Sequence, residues 1–89
     1  MRIKQELILR KIADDYFLVP VGKTVYQYNG LFALTEVGAR IWELLPDTET
    51  ADDIAKRLAE EYDTESITEL EILRDVQNFL TRLREFKIL

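Results

Sequence analysis

Eighty-nine residues suffice for one domain, residues 1–89, with a single core, and a chain this short buries only about 60–65% of its unfolded surface. With 17 acidic against 12 basic residues the formal net charge is −5, which argues against a general phosphate-binding surface, because nucleic-acid affinity comes chiefly from neutralising phosphates. The chain has no Cys and no His, which excludes disulfides, His/Cys metal sites and Cys or His catalysis.

The opening MRIKQELILRK is interrupted by charge and lacks the apolar stretch of a signal peptide. No apolar run approaches the roughly 20 residues that span a bilayer, so a cytoplasmic location is expected. Leu7, Leu9 and Lys11 alternate with Ile8, Arg10 and Ile12, which predicts a strand with mixed faces near a sheet edge. Asp14-Asp15 reads as a turn, and Tyr16 to Val21 as a second strand with Pro20 at its end or on an edge. Gly22-Lys23 turns the chain again. Thr24 to Tyr28, TVYQY, reads as a third extended piece, either a paired strand or a loop arm. Asn29-Gly30 is a strong two-residue turn signal, because both residues tolerate positive φ. Leu31 to Leu34 is then a short strand, apolar at every position, so both of its faces call for cover.

From Thr35 the hydrophobic period changes from two to about 3.6. Thr35 caps a first helix over Glu36 to Leu45, with Val37, Ile41, Leu44 and Leu45 on one stripe and Trp42 beside it as a core anchor. Gly38 costs about 1 kcal/mol of helix propensity, and its missing side chain lets the helix lie close on the sheet. Pro46-Asp47 stops the helix. Thr50 opens a second, with Asp53 three residues on as a variant capping box, and Tyr62 ends it. Asp63 to Ile67 reads as a loop. Thr68 and Glu71 match the capping box proper, and a third helix runs from Glu69 to Phe86, followed by a short extended tail, Lys87 to Leu89. Three or four short strands followed by three helices predict an α+β fold: a small antiparallel sheet with its helices on one side, the plan of a winged helix-turn-helix.

On a helical wheel Ile72, Val76, Phe79, Leu80 and Leu83 make the core stripe of helix three. Leu73 lies on one shoulder, Leu70 further out, and Arg74, Gln77, Thr81 and Arg84 on or beyond that shoulder. The apolar arc spans roughly 180°, against roughly 100° for an ordinary surface helix. One reading gives the excess to a wider sheet contact. The other makes the Leu70/Leu73 shoulder one wall of a groove whose other wall is the strand Leu31, Phe32, Ala33 and Leu34. An exposed strand edge offers unpaired N–H and C=O groups to an extended peptide, while side-chain pockets supply selectivity. Arg74 and Arg84 are placed to hold acidic side chains of such a guest.

No catalytic, metal or cofactor site is expected. The acid pairs Asp52/Asp53 and Glu60/Glu61, and Glu65, Glu69 and Glu71, fall on polar helix faces or at helix N-termini, where they favour the dipole. Tyr16, Tyr26 and Tyr28 read as cross-strand packing more readily than as a binding surface. Three scattered glycines make no phosphate loop.

Four stretches, LVPVG (Leu18 to Gly22), NGLFALTEVGARIW (Asn29 to Trp42), EEY (Glu60 to Tyr62) and DVQNFLTRLREFKIL (Asp75 to Leu89), together resemble the PqqD family of peptide-modification chaperones. These are small winged-helix recognition elements for ribosomally made, post-translationally modified peptides. The family pattern usually reads LNE where this chain has Leu34-Thr35-Glu36, a mild departure because Thr caps a helix as Asn does. The segment from Thr64 to Leu70 is longer than usual. The resemblance implies a non-catalytic role: binding the leader of a precursor peptide as an added strand between the third strand and third helix, and delivering it to a modifying enzyme, often a radical S-adenosylmethionine enzyme. Carried onto this chain, those elements are Leu31 to Leu34 and the Leu70/Leu73/Gln77 shoulder. The alternative is a winged-helix DNA-binding regulator; Arg74, Arg82 and Arg84 would serve it, but Glu69, Glu71, Asp75 and Glu85 share their helix. An apolar strand edge also permits self-pairing, so a monomer or weak homodimer is expected.

Overall fold

Alternation, turn residues and caps convert into three strands and three α-helices in a computed structural model that describes residues 1–28, 30–62 and 67–89. Asn29 of the expected Asn29-Gly30 turn and residues 63–66 of the expected loop lie outside the described residues. β1 (Leu7–Ile12) and β2 (Asp15–Pro20) form an antiparallel hairpin in a register running from Leu7↔Pro20 to Ile12↔Asp15. The connection is Ala13-Asp14, one residue earlier than the turn read from the sequence, and Ala13 takes φ +56°, the sign required at the first loop residue of a type II′ turn. Pro20 is the last residue of β2, where its missing N–H costs the ladder least.

The piece expected to be extended from Thr24 to Tyr28 is instead a 3-10 turn over Gly22–Tyr26. Gly22 enters it at φ +59°. Thr24 is buried, and its hydroxyl accepts a hydrogen bond from the Glu6 amide at 3.1 Å. Val25 and Tyr26 stand 52% and 91% exposed, so the alternation in TVYQY buries no face. Among the described residues the sheet therefore has three strands.

β3 (Phe32–Leu34) pairs antiparallel with β2 through Tyr16↔Leu34, Phe17↔Ala33 and Leu18↔Phe32, and the strand order is β1-β2-β3. Leu31, read as the first residue of this strand, precedes it and is half exposed. β1 and β3 are the two edges.

The helices start at the hydroxyl caps read from the sequence. Thr35 accepts from the Gly38 amide ahead of α1 (Glu36–Leu44), Thr50 from Asp53 ahead of α2 (Ala51–Glu61), and Thr68 from Glu71 ahead of α3 (Glu69–Glu85), at 3.0 to 3.1 Å. α1 passes at Leu45 into a 3-10 turn through Pro46 and Asp47. α3 ends differently from the expected extended tail. Lys87 adopts φ +61°, its amide donates to the Arg84 carbonyl, and the Ile88 amide donates to the Leu83 carbonyl at 2.8 Å. That pair of bonds is a Schellman motif, which satisfies carbonyls otherwise left open at a helix C-terminus. It turns Ile88 inward until the side chain is fully buried, and Lys4 donates to its carbonyl at 2.7 Å.

The core forms between the inner face of the sheet and the three helices, around Leu18, Ile41, Leu45, Ile54, Leu58, Val76, Leu80 and Ile88. Trp42 joins it. The stripe Ile72, Val76, Phe79, Leu80 and Leu83 is buried as read. A Cβ on Gly38 would lie 3.3 Å from the Phe79 ring, so this glycine admits α3 to close approach rather than the sheet. Arg40 of α1 forms a forked ion pair with Glu61 at the end of α2, holding that carboxyl below its ordinary range.

Candidate functional site

β3 has β2 on one side and, among the described residues, no strand on the other. Its side chains alternate: Phe32 and Leu34 are half-buried toward the helices, and Ala33 is exposed. The interior between β3 and α3 is already filled by the protein's own side chains. Leu18, Phe32, Leu34, Phe79, Leu83, Phe86 and Ile88, with Arg82 at the rim, leave a void of only about 10 Å³, too small for a guest side chain. Phe32 meets Phe86 edge to face at 5.0 Å and Tyr28 at 5.2 Å. The Tyr28 hydroxyl donates to the Phe86 carbonyl at 2.5 Å, tying the segment before β3 to the end of α3.

The open space lies along the rim of that packed floor. A concavity of about 380 Å³ lies just past the end of β3, between Thr35, Val37, Gly38 and Ile41 at the start of α1 on one wall and Asp75, Asn78, Phe79 and Arg82 of α3 on the other; none of its lining residues belongs to β3.

These α3 residues are not those the wheel singled out. Leu70 and Leu73 line a separate concavity of about 810 Å³ with Ala55, Lys56 and Ala59 of α2. Arg74, Gln77, Thr81 and Arg84 are exposed and line neither the packed floor nor the open concavity, and the Thr81 hydroxyl donates to the Gln77 carbonyl of its own helix. The groove expected between the Leu70/Leu73 shoulder and Leu31 to Leu34 is therefore not formed: that shoulder turns toward α2. The wide apolar arc has a packing cause, since one side of the core stripe meets α2 and the other meets β3. The flank nearest β3 carries Arg82 and Phe86, and Asn78 and Asp75 continue the same line against α1, at spacings of three or four residues that the sequence itself displays. Phe86 is its only apolar member, so this flank carries no surplus of apolar surface to mark it.

The PqqD family, described as Coenzyme PQQ synthesis protein D (PqqD), has a model that matches residues 15–89. Among solved structures the chain is similar to TbiB1 in complex with the TbiA(beta) leader peptide, with 26% identity, a TM-score of 0.69, and coverage of 99% of this chain and 93% of that one. No curated protein sequence matches the chain.

Proposed function

The chain belongs to the PqqD family, and on that premise we propose that it is a non-catalytic recognition domain for the leader region of a ribosomally synthesised precursor peptide. The leader adds as a strand to the outer edge of β3, over Leu31, Phe32, Ala33 and Leu34, and lays its inward side chains along Asp75, Asn78, Phe79, Arg82 and Phe86 of α3. The domain then presents the peptide to a modifying enzyme, of which the radical S-adenosylmethionine class is the best fit to the family. It acts as a monomer or weak homodimer.

The observation that carries this reading is the outer edge of β3, without a strand partner among the described residues, with Phe32 and Leu34 packed beside Phe79, Arg82 and Phe86 of α3. Main-chain pairing to such an edge supplies affinity, and the adjoining side chains supply selectivity. Similarity to a protein solved with a leader peptide supports the same reading. A DNA-reading role draws less support, because exposed Glu69, Glu71, Asp75 and Glu85 share α3 with its arginines.

The test is an amide chemical-shift titration with a synthetic leader peptide from a precursor encoded beside this gene. Shifts at Leu31 to Leu34 and on α3 from Asp75 to Phe86 are expected, and duplex DNA at physiological salt should move nothing. Shifts confined to α2 would overturn the proposed edge.

A further inference from the structure

Arg82 lies where the packed floor and the open concavity meet, and it lines both. Its side chain is exposed and has no ion-pair partner among the described residues, where the ion pairs are those of Arg40 with Glu43 and Glu61. The surrounding protein is acidic, with a formal net charge of −5. Among the described residues, Arg82 is the one cationic residue lining either concavity, and Asp75 is the one anionic residue, at the α1 end of the open one.

The elements also fix a register. Asp75 and Asn78 line the open concavity with Thr35, Val37, Gly38 and Ile41, while Phe32 and Leu34 of β3 share the packed floor with Arg82 and Phe86. Along α3, Phe86, Arg82 and Asn78 succeed one another at four-residue spacings. These sit about one helical turn apart, a rise of roughly 5.4 Å. Same-face side chains of an extended strand recur every second residue, roughly 6.6 Å. A strand laid along β3 thus sets one inward side chain over Phe86 and Phe32 and the next at Arg82, and a chain that continues past β3 toward α1 brings a third toward Asn78 and Asp75.

We propose that Arg82 is a specificity-determining residue, selecting peptides with an aspartate or glutamate at the inward position that passes it. Two residues to one side stands an apolar side chain over Phe86, and two to the other a polar or basic one facing Asp75. This rests on the strand-addition reading of the site. The guanidinium fork matches a carboxylate in two parallel hydrogen bonds, which fixes the register of a strand whose main-chain bonds alone would allow it to slip by two residues. Arg74 and Arg84 line neither the packed floor nor the open concavity.

The test needs no known leader. A displayed library of random ten-residue peptides is selected against the wild-type protein and against Arg82→Glu, with β3 amide shifts recorded for the enriched peptides. Wild-type selection should enrich one Asp or Glu flanked two residues away by an apolar residue, and the Arg82→Glu selection should move that position to Lys or Arg. For one enriched peptide, Arg82→Glu should weaken binding roughly tenfold, and replacing the peptide's acid by Lys should restore at least half of the loss on a logarithmic scale. Peptides that shift β3 amides but show no acidic preference, or no switch with Arg82→Glu, overturn the assignment of Arg82 and leave strand addition standing. Failure to enrich any peptide that shifts β3 overturns both. Matching thermal melts of the two proteins confirm that the comparison is between folded forms.

Discussion

Ile88 is a sharp test of how this domain holds its shape. Its side chain is fully buried against the floor formed by Leu18, Phe79 and Leu83, and its backbone is held at both ends, the amide by Leu83 and the carbonyl by Lys4. Ile88→Ala removes three methyl or methylene groups at about 0.8 kcal/mol each, or about 2.4 kcal/mol of transfer free energy. A residual cavity adds about 1 kcal/mol, because Phe79 and Leu83 sit on a helix that cannot collapse inward. A total of roughly 3 kcal/mol is a large part of the 5–15 kcal/mol typical of a whole domain. For a domain this size it lowers Tm by roughly 12–24 °C. Urea denaturation followed by far-UV circular dichroism measures it, with Ile88→Val as a graded control expected to lose about 1 kcal/mol. If Ile88→Ala unfolds within about 0.5 kcal/mol of wild type, the chain beyond α3 contributes little, and the Schellman turn does not seat Ile88 in the core as described.

Lys87 holds φ +61°, a conformation that costs an L-residue about 1 kcal/mol and glycine almost nothing, so Lys87→Gly should raise unfolding stability by about 0.5–1 kcal/mol in the same assay; a loss would contradict the left-handed turn. The Glu61 carboxyl is held low first by its hydrogen bond from Arg40, so this pair stabilises the fold above the ordinary Glu range and loses its effect as pH falls through the lowered value. Both side chains are 37% exposed, which limits the contribution to a few tenths of a kcal/mol; wild type and Glu61→Gln should differ by that much at pH 6 in low salt and converge as the pH falls below the lowered value, and a gap that stays constant through the acid range would assign the difference to packing instead. Thr35→Ala removes the oxygen that accepts from the Gly38 amide and should cost about 1 kcal/mol, whereas Thr35→Asn should retain most of it; equal losses would take the cap out of the account.

Features that depend on neighbours in the chain were legible from it. The three threonine caps, the onset of each helix and the buried stripe of α3 all follow from chemistry spanning three or four residues. Features that depend on remote partners were not. TVYQY alternates as a strand does, but the Glu6 amide, eighteen residues away from Thr24, draws that hydroxyl inward while Gly22 bends the backbone into a 3-10 turn. Lys87 to Leu89 carries no local signal for a left-handed turn, since the usual glycine is missing and burial of Ile88 supplies the drive. The wheel gave the angles of α3 correctly and its neighbours incorrectly. Leu70 and Leu73 on one side and Asp75, Arg82 and Phe86 on the other flank the same stripe, and only the placement of α2 decides which side turns to β3.

That placement also bears on how the proposed site would work. The floor beneath the rim consists of residues the fold cannot spare: Leu18 and Ile88 are fully buried, Leu83 is 4% exposed and Phe79 8%. Side chains locked in a core have already lost their rotamer freedom, so a guest strand meets a wall that needs no further ordering and bears most of the entropic cost itself. The small filled void beneath the rim limits how far guest side chains can penetrate, which leaves discrimination to the groups above it. On the strand-addition reading, affinity and selectivity then separate physically: the β3 backbone contributes pairing that any sequence can use, while a thin line of side chains on α3 distinguishes one peptide from another. Substituting that line should retune the choice of peptide without unfolding the domain, because Asp75, Asn78 and Arg82 are exposed and contribute little to the core, whereas substituting the floor should damage both together.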